Sequence, residues 1–204
     1  MNYKVSHATQ EINCEINLPA SKSISNRLLI IQALCKTPFT IHNLSQSDDT
    51  RVLEETLKNK QHIINTGAAG TTFRFLSAYY AFTTKKNLTL TGSERMKTRP
   101  IKALIDALNT LGADISYIDK EGFPPLKIKE ATVRKNTINI DGSISSQFIS
   151  ALLLIAPVLE NGLHINMEPI IVSKPYIEMT LKLMSEFGII YKWEKNSIHI
   201  SKQE

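Results

Sequence analysis

Reactive and anion-binding side chains in this chain are concentrated where helices are about to begin. In Pro19 to Arg27, PASKSISNR, the polar residues Lys22, Ser23 and Arg27 stand immediately before the apolar run Leu28-Leu29-Ile30-Ile31. Ser21 is an N-cap candidate, and first-turn amides lack intrahelical acceptors, so this end is electropositive and suited to a phosphate or carboxylate. Ser23 and Arg27 are four positions apart and share a helix face. A capped core helix with a surface Lys and Arg explains the same stretch equally well.

The same device recurs. In Asn65 to Arg74, NTGAAGTTFR, small residues lead into a helix, so the amides of Gly70 and Thr71 can approach an anion with no side chain between them. No Lys-Ser or Lys-Thr follows the glycines at nucleotide P-loop spacing. Arg95, Lys97 and Arg99 precede a helix that the sequence starts at Pro100 and ends before Gly112. Ser145, Ser146 and Gln147 open an apolar helix that Pro157 ends or kinks, and Ser173 precedes a helix with Pro175 at its first position. Asp48 and Asp49 follow Ser47 and read as first-turn acids of another helix. Each start alone has an ordinary capping or loop explanation, but their number in one chain favours a phosphorylated substrate.

The elements that would position these residues alternate. Helices are expected to start near residues 22, 48, 71, 99, 144 and 175. Strands are expected at Tyr3 to His7, Ile12 to Leu18, Phe39 to His42, Leu88 to Thr91, Ala113 to Ile118, Leu126 to Ile128, Thr137 to Ile140, Leu163 to Ile165, Ile189 to Trp193 and Ser197 to Ile200. The stretches RPIKALIDALNTLGADI and KPYIEMTLKLMSEFGII match in Pro, Gly and apolar spacing, which indicates an internal repeat of a strand-helix-strand-helix-strand-strand unit used three times. The fold class is α/β (α+β). With 204 residues, 42% hydrophobic and 21% charged, the chain has an ordinary globular composition. It lacks both a membrane-length apolar run and a signal-like start, which places it in the cytoplasm. Cys14 and Cys35 read as reduced, packed thiols without metal-site spacing. Neither a metal nor a cofactor is expected. The net charge of +5 is scattered, which favours small anionic partners over nucleic acid.

PASKSISNR, AGTTFR, ERMKTRPI, DGSISSQF and the SKPYI segment, in this order, closely resemble the N-terminal half of the EPSP synthase (3-phosphoshikimate 1-carboxyvinyltransferase) family. The resemblance covers essentially the whole chain. It implies transfer of an enolpyruvyl group from phosphoenolpyruvate to the 5-hydroxyl of shikimate 3-phosphate, with release of phosphate, in the shikimate route to aromatic amino acids. It also implies a two-domain enzyme, each domain of three such units, closing over its substrates. By resemblance, Ser23, Arg27, Ser145, Ser146 and Ser173 hold shikimate 3-phosphate, with Tyr176 beside its ring. Lys22 lies between the two substrates, and Gly70, Arg99 and Gln147 face phosphoenolpyruvate. Residues 1–18 would belong with the second domain and 19–204 would form the shikimate 3-phosphate-binding domain. The start of the chain, Met1 to Asn17, would then be poorly anchored here.

Two departures from the family pattern stand out: Ala68 where the family has Asn, and Phe75 where it has Pro. Relatives are also about twice as long, and the acidic residues expected to act as acid and base come from the half not present. The related UDP-N-acetylglucosamine enolpyruvyl transferases carry Lys-Asn where this chain has Lys22-Ser23, and a loop Cys that it lacks. Other readings are an RNA-binding module, disfavoured by the absence of an aromatic recognition motif, and a structural repeat protein, which leaves the polar helix starts without a ligand.

Overall fold

Hydroxyl caps and apolar spacing set the helices in place. In the structure, a computed structural model describing residues 3–4, 6, 8, 11, 13–59, 61–168 and 170–203, helix α1 spans Lys22–Leu34 and α2 spans Asp48–Lys58. Ser21 Oγ accepts from Ile24 N, and Ser47 Oγ accepts from Thr50 N, both at 3.4 Å. Each hydroxyl thereby satisfies one otherwise orphaned first-turn donor.

Two units of identical topology follow. The first contains β1 (Ile63–Asn65), α3 (Gly70–Thr83), β2 (Leu88–Thr91), the short α4 (Glu94–Lys97), α5 (Lys102–Leu111), β3 (Asp114–Tyr117) and β4 (Leu126–Lys129). The second contains β5 (Thr137–Asp141), α6 (Ser146–Ile155), β6 (Leu163–Glu168), α7 (Lys174–Glu186), β7 (Tyr191–Glu194) and β8 (Ser197–Ile200). Their sheets run β1-β2-β4-β3 and β5-β6-β8-β7, each with one parallel pair followed by two antiparallel pairs. The repeat read from the sequence is therefore backbone topology as well as composition. Pro157 ends α6, in a turn of 3-10 helix over Ala156–Val158. Gly112 closes α5 at φ 111°, a left-handed conformation that a side chain would oppose.

Three expectations are corrected. Phe39 to His42 forms no strand, because no strand among the described residues offers it a ladder; its anchor is Gln32 Nε2, which donates to Phe39 O at 2.6 Å. The structure therefore shows two complete units, with α1 and α2 as a helix pair that has no strands of its own among the described residues. Pro100 lies just outside α5 rather than at its first position, since Ile101 takes the N-cap and its amide donates to Gly122 O at 2.9 Å. Tyr3 to His7 and Ile12 to Leu18 lie partly outside the described residues. Of those described, none is in a strand, and Ile16 and Leu18 are exposed.

α1, α2, α3, α6 and α7 run parallel. Level with their second turns, Arg27 on α1 meets Ser150 on α6 and Thr180 on α7. At their carboxyl ends, Leu34, Leu154 and Met184 line one apolar groove of about 590 Å³. Thr72 at the start of α3 bonds Asp49 O at the start of α2, and Tyr80 Oη reaches Thr56 O farther along the same pair. Asn26 and Thr50 likewise join α1 to α2. Burial supplies the driving force: every residue of α6 from Phe148 to Ile155 is buried, and α3 and α7 pack on either side of it. Aligned helices add their dipoles, so one end of the bundle is electropositive and suited to an anion.

Candidate anion-binding site

At that end lies a polar cleft of about 240 Å³. Lys22 from α1, Asp49 from α2, Gly70 and Thr71 from α3, Arg95 from α4, Arg99 from the α4–α5 connection and Gln147 from α6 line it. The four residues expected to face phosphoenolpyruvate, Lys22, Gly70, Arg99 and Gln147, are thus brought together from four separate segments.

Gly70 is the floor. It is buried at the first position of α3, and a Cβ there would overlap the Arg99 guanidinium and come within 2.8 Å of Arg74 Nη1. Only glycine lets both guanidinium groups close on this backbone. Arg74 Nη1 donates to Gly70 O at 2.8 Å, its ring neighbour is Phe148 at 5.3 Å, and its Nε has no hydrogen-bond partner. Burial, reinforced by Arg99 and opposed by Asp49, pulls Arg74 down to about 10, so it remains charged at neutral pH.

The loop ahead of Gly70 holds its shape without an Asn at position 68. Asn65 Oδ1 accepts from Gly67 N at 2.9 Å, and Ser93 N donates to Gly67 O at 2.9 Å. The other departure, Phe75, is buried with its ring 5.5 Å below the Arg27 guanidinium carbon. Both substitutions are absorbed locally.

The residues expected to hold shikimate 3-phosphate are more dispersed in role. Ser145 is exposed and caps α6 by accepting from Gln147 N at 3.3 Å, while Ser146 is buried. Ser173 is exposed with φ 55°, and Tyr176 in the first turn of α7 is half exposed. Ser23 and Tyr176 meet through Arg27, which donates to both of their carbonyl oxygens. Arg27 itself is 2% exposed, and its remaining bonds go to Thr180 and Ser150 hydroxyls at 2.6 and 2.9 Å. Burial draws it down to about 10. Its guanidinium is spent on joining three helices, so it fixes the positions of Ser23 and Tyr176 rather than opening on solvent.

Sequence reasoning missed two participants. Arg74 carried a usable signal, being four residues beyond Gly70 on the same helix face. Asp49, read as a capping acid, directs its carboxylate at Lys22 Nζ, 3.2 Å away on another helix, and no local pattern encodes that.

The profile of the EPSP synthase (3-phosphoshikimate 1-carboxyvinyltransferase) family matches residues 6–61 and 52–203. This chain belongs to that family. Among relatives named 3-phosphoshikimate 1-carboxyvinyltransferase, the Bacteroides fragilis (strain YCH46) protein is 49% identical over 193 residues, covering 95% of this chain and 47% of the relative. The Haemophilus influenzae (strain PittEE) protein is 42% identical over 202 residues, covering 85% of this chain and 47% of the relative. EPSP synthase from Acinetobacter baumannii shares the fold with a TM-score of 0.78 at 19% identity, over 93% of this chain and 47% of that one. The chain spans about half the length of the curated relatives it matches. Among the described residues, no helix of this EPSP synthase family member is long and apolar enough to cross a membrane.

Proposed function

We propose that this chain is the shikimate 3-phosphate-binding half of a 3-phosphoshikimate 1-carboxyvinyltransferase, acting in enolpyruvyl transfer from phosphoenolpyruvate to the 5-hydroxyl of shikimate 3-phosphate. The observation that carries the reading is the convergence of Lys22, Arg95, Arg99 and Gln147 on the bare backbone of Gly70, at the amino ends of parallel helices. Backbone amides, a point charge and planar guanidinium forks are the groups that recognise phosphate and carboxylate. In this reading Lys22, Gly70, Arg99 and Gln147 receive phosphoenolpyruvate. Ser23, Ser145, Ser146, Ser173 and Tyr176 receive shikimate 3-phosphate, in positions that Arg27 fixes. A cytoplasmic setting is part of this reading; Cys14 and Cys35, expected to be packed, are both exposed.

Enolpyruvyl transfer needs a proton delivered to the methylene carbon of phosphoenolpyruvate, a proton taken from the attacking hydroxyl, and charge stabilised on a tetrahedral intermediate. The cleft supplies cations for the last of these. Among the described residues its one carboxylate, Asp49, is engaged with Lys22, so the acid and base are assigned to the half of the enzyme that this chain does not span.

Calorimetry with the purified chain tests the binding half of this proposal. Shikimate 3-phosphate is expected to bind at least tenfold more tightly than shikimate, since charge-assisted hydrogen bonds to the phosphate are worth roughly 1.5 to 3 kcal/mol each. Equal affinities would remove the assignment. The catalytic half is tested by assaying phosphate release. The chain alone is expected to show none above background, because closure by a second half is needed to exclude water and complete the site. Sustained turnover by the isolated chain would overturn the division of labour.

A further inference from the structure

Among the described residues, three cations and one carboxylate line the cleft, and the carboxylate is already committed. Asp49 Oδ1 lies 3.2 Å from Lys22 Nζ, with the Asp49 side chain 16% and the Lys22 side chain 48% exposed. The two partners differ in freedom. The backbone of Asp49 is pinned where its carbonyl accepts from Thr72 Oγ1 at 2.6 Å, tying the start of α2 to the start of α3. Lys22 is the first residue of α1, and its ammonium rides on a flexible four-carbon stem. An anion entering beside Gly70 therefore meets a fixed negative charge and a movable positive one.

We propose that Asp49 is an internal counter-ion that holds Lys22 while the cleft is empty, yields it to an incoming anion, and reclaims it as the anion leaves. This rests on the anion-cleft reading above and adds a residue that regulates how tightly that cleft holds its ligand. A ligand must break the Asp49 to Lys22 pair and tolerate the Asp49 charge, so Asp49 weakens binding. The same opposition speeds escape of the inorganic phosphate that the proposed reaction would release in this cleft. Asp49 also offsets the repulsion between Arg74 and Arg99, which lets the empty site keep its cations clustered.

Asp49→Asn tests this with inorganic phosphate as the probe and calorimetry on the whole chain as the readout. The substitution leaves the backbone carbonyl that Thr72 uses, so the junction between α2 and α3 is retained. Phosphate is expected to bind Asp49→Asn roughly tenfold more tightly than the unsubstituted chain, the combined scale of removing one nearby like charge from a bound dianion and freeing the Lys22 ammonium. In a Lys22→Met background the same substitution should tighten binding by less than half as much on a logarithmic scale, because part of the effect runs through the released ammonium. In the unsubstituted chain, nitrogen-15 detection of the Lys22 ammonium should show its resonance shift as phosphate is added, a readout that needs no variant. If phosphate binds the unsubstituted chain and Asp49→Asn binds it equally or more weakly, the counter-ion assignment is wrong and the anion cleft stands. If neither protein binds phosphate, the anion cleft itself is wrong and this inference falls with it.

Discussion

Arg27→Ala is expected to destabilise the fold by about 3 kcal/mol, in the range of buried-network losses. For a chain of this size that lowers the midpoint of thermal unfolding by roughly 6 to 12 °C. The side chain is 2% exposed and reaches Thr180, Ser23 O, Ser150 and Tyr176 O from α1, so its removal opens a void where α1, α6 and α7 meet. The oxygens that accept from it are all neutral, and burial has drawn its guanidinium down to about 10. Its contribution is thus geometric and hydrogen-bonded rather than an ion pair. Ser150 and Thr180 hydroxyls remain bonded to each other at 2.9 Å without it, which limits the loss. A role confined to holding shikimate 3-phosphate, as the resemblance implies for Arg27, would instead lower affinity for the phosphorylated ligand with little change in stability. Paired urea and thermal melts decide between them: an unchanged midpoint would mean that the guanidinium is dispensable to the junction.

Gly70→Ala should do the reverse, leaving stability within about 1 kcal/mol while weakening phosphoenolpyruvate and phosphate binding roughly 10- to 100-fold. Gly70 does not need a positive φ, and alanine is the better helix former at the start of α3, so the backbone tolerates the change. The conflict is with the Arg99 guanidinium, which a Cβ would overlap, and with Arg74 Nη1 at 2.8 Å. Arg99 is exposed and can swing outward, so the new methyl group displaces the guanidinium proposed to meet the anion instead of the helix. Losing one charge-assisted contact of roughly 1.5 to 3 kcal/mol accounts for the expected fold-change. Calorimetry with both ligands, alongside a thermal melt, measures the two effects separately. Undiminished affinity would show that Arg99 does not address the anion from above Gly70.

Local chemistry made much of this molecule legible. Ser21, read as an N-cap, caps α1, and Ser47 and Ser145 do the same for α2 and α6, because satisfying a first-turn amide is decided within a few residues. The α/β class and the internal repeat were readable for the same reason, since periodicity and turn residues are written locally. The convergence of Lys22, Gly70, Arg99 and Gln147 was expected from resemblance and is realised by parallel packing of the helices. What the sequence could not decide depends on partners far along the chain. Phe39 to His42 has extended character, but a strand exists only where another edge accepts its hydrogen bonds. Arg27 looks like a surface cation at a helix start until Thr180, 153 positions away, is brought against it. Asp49 looks like a cap until α1 places Lys22 beside it. A hydroxyl cap finds its donor within its own turn, whereas a charged side chain turns inward, outward or towards a counter-ion according to which oxygens the packed helices bring within reach. Only the tertiary structure supplies those.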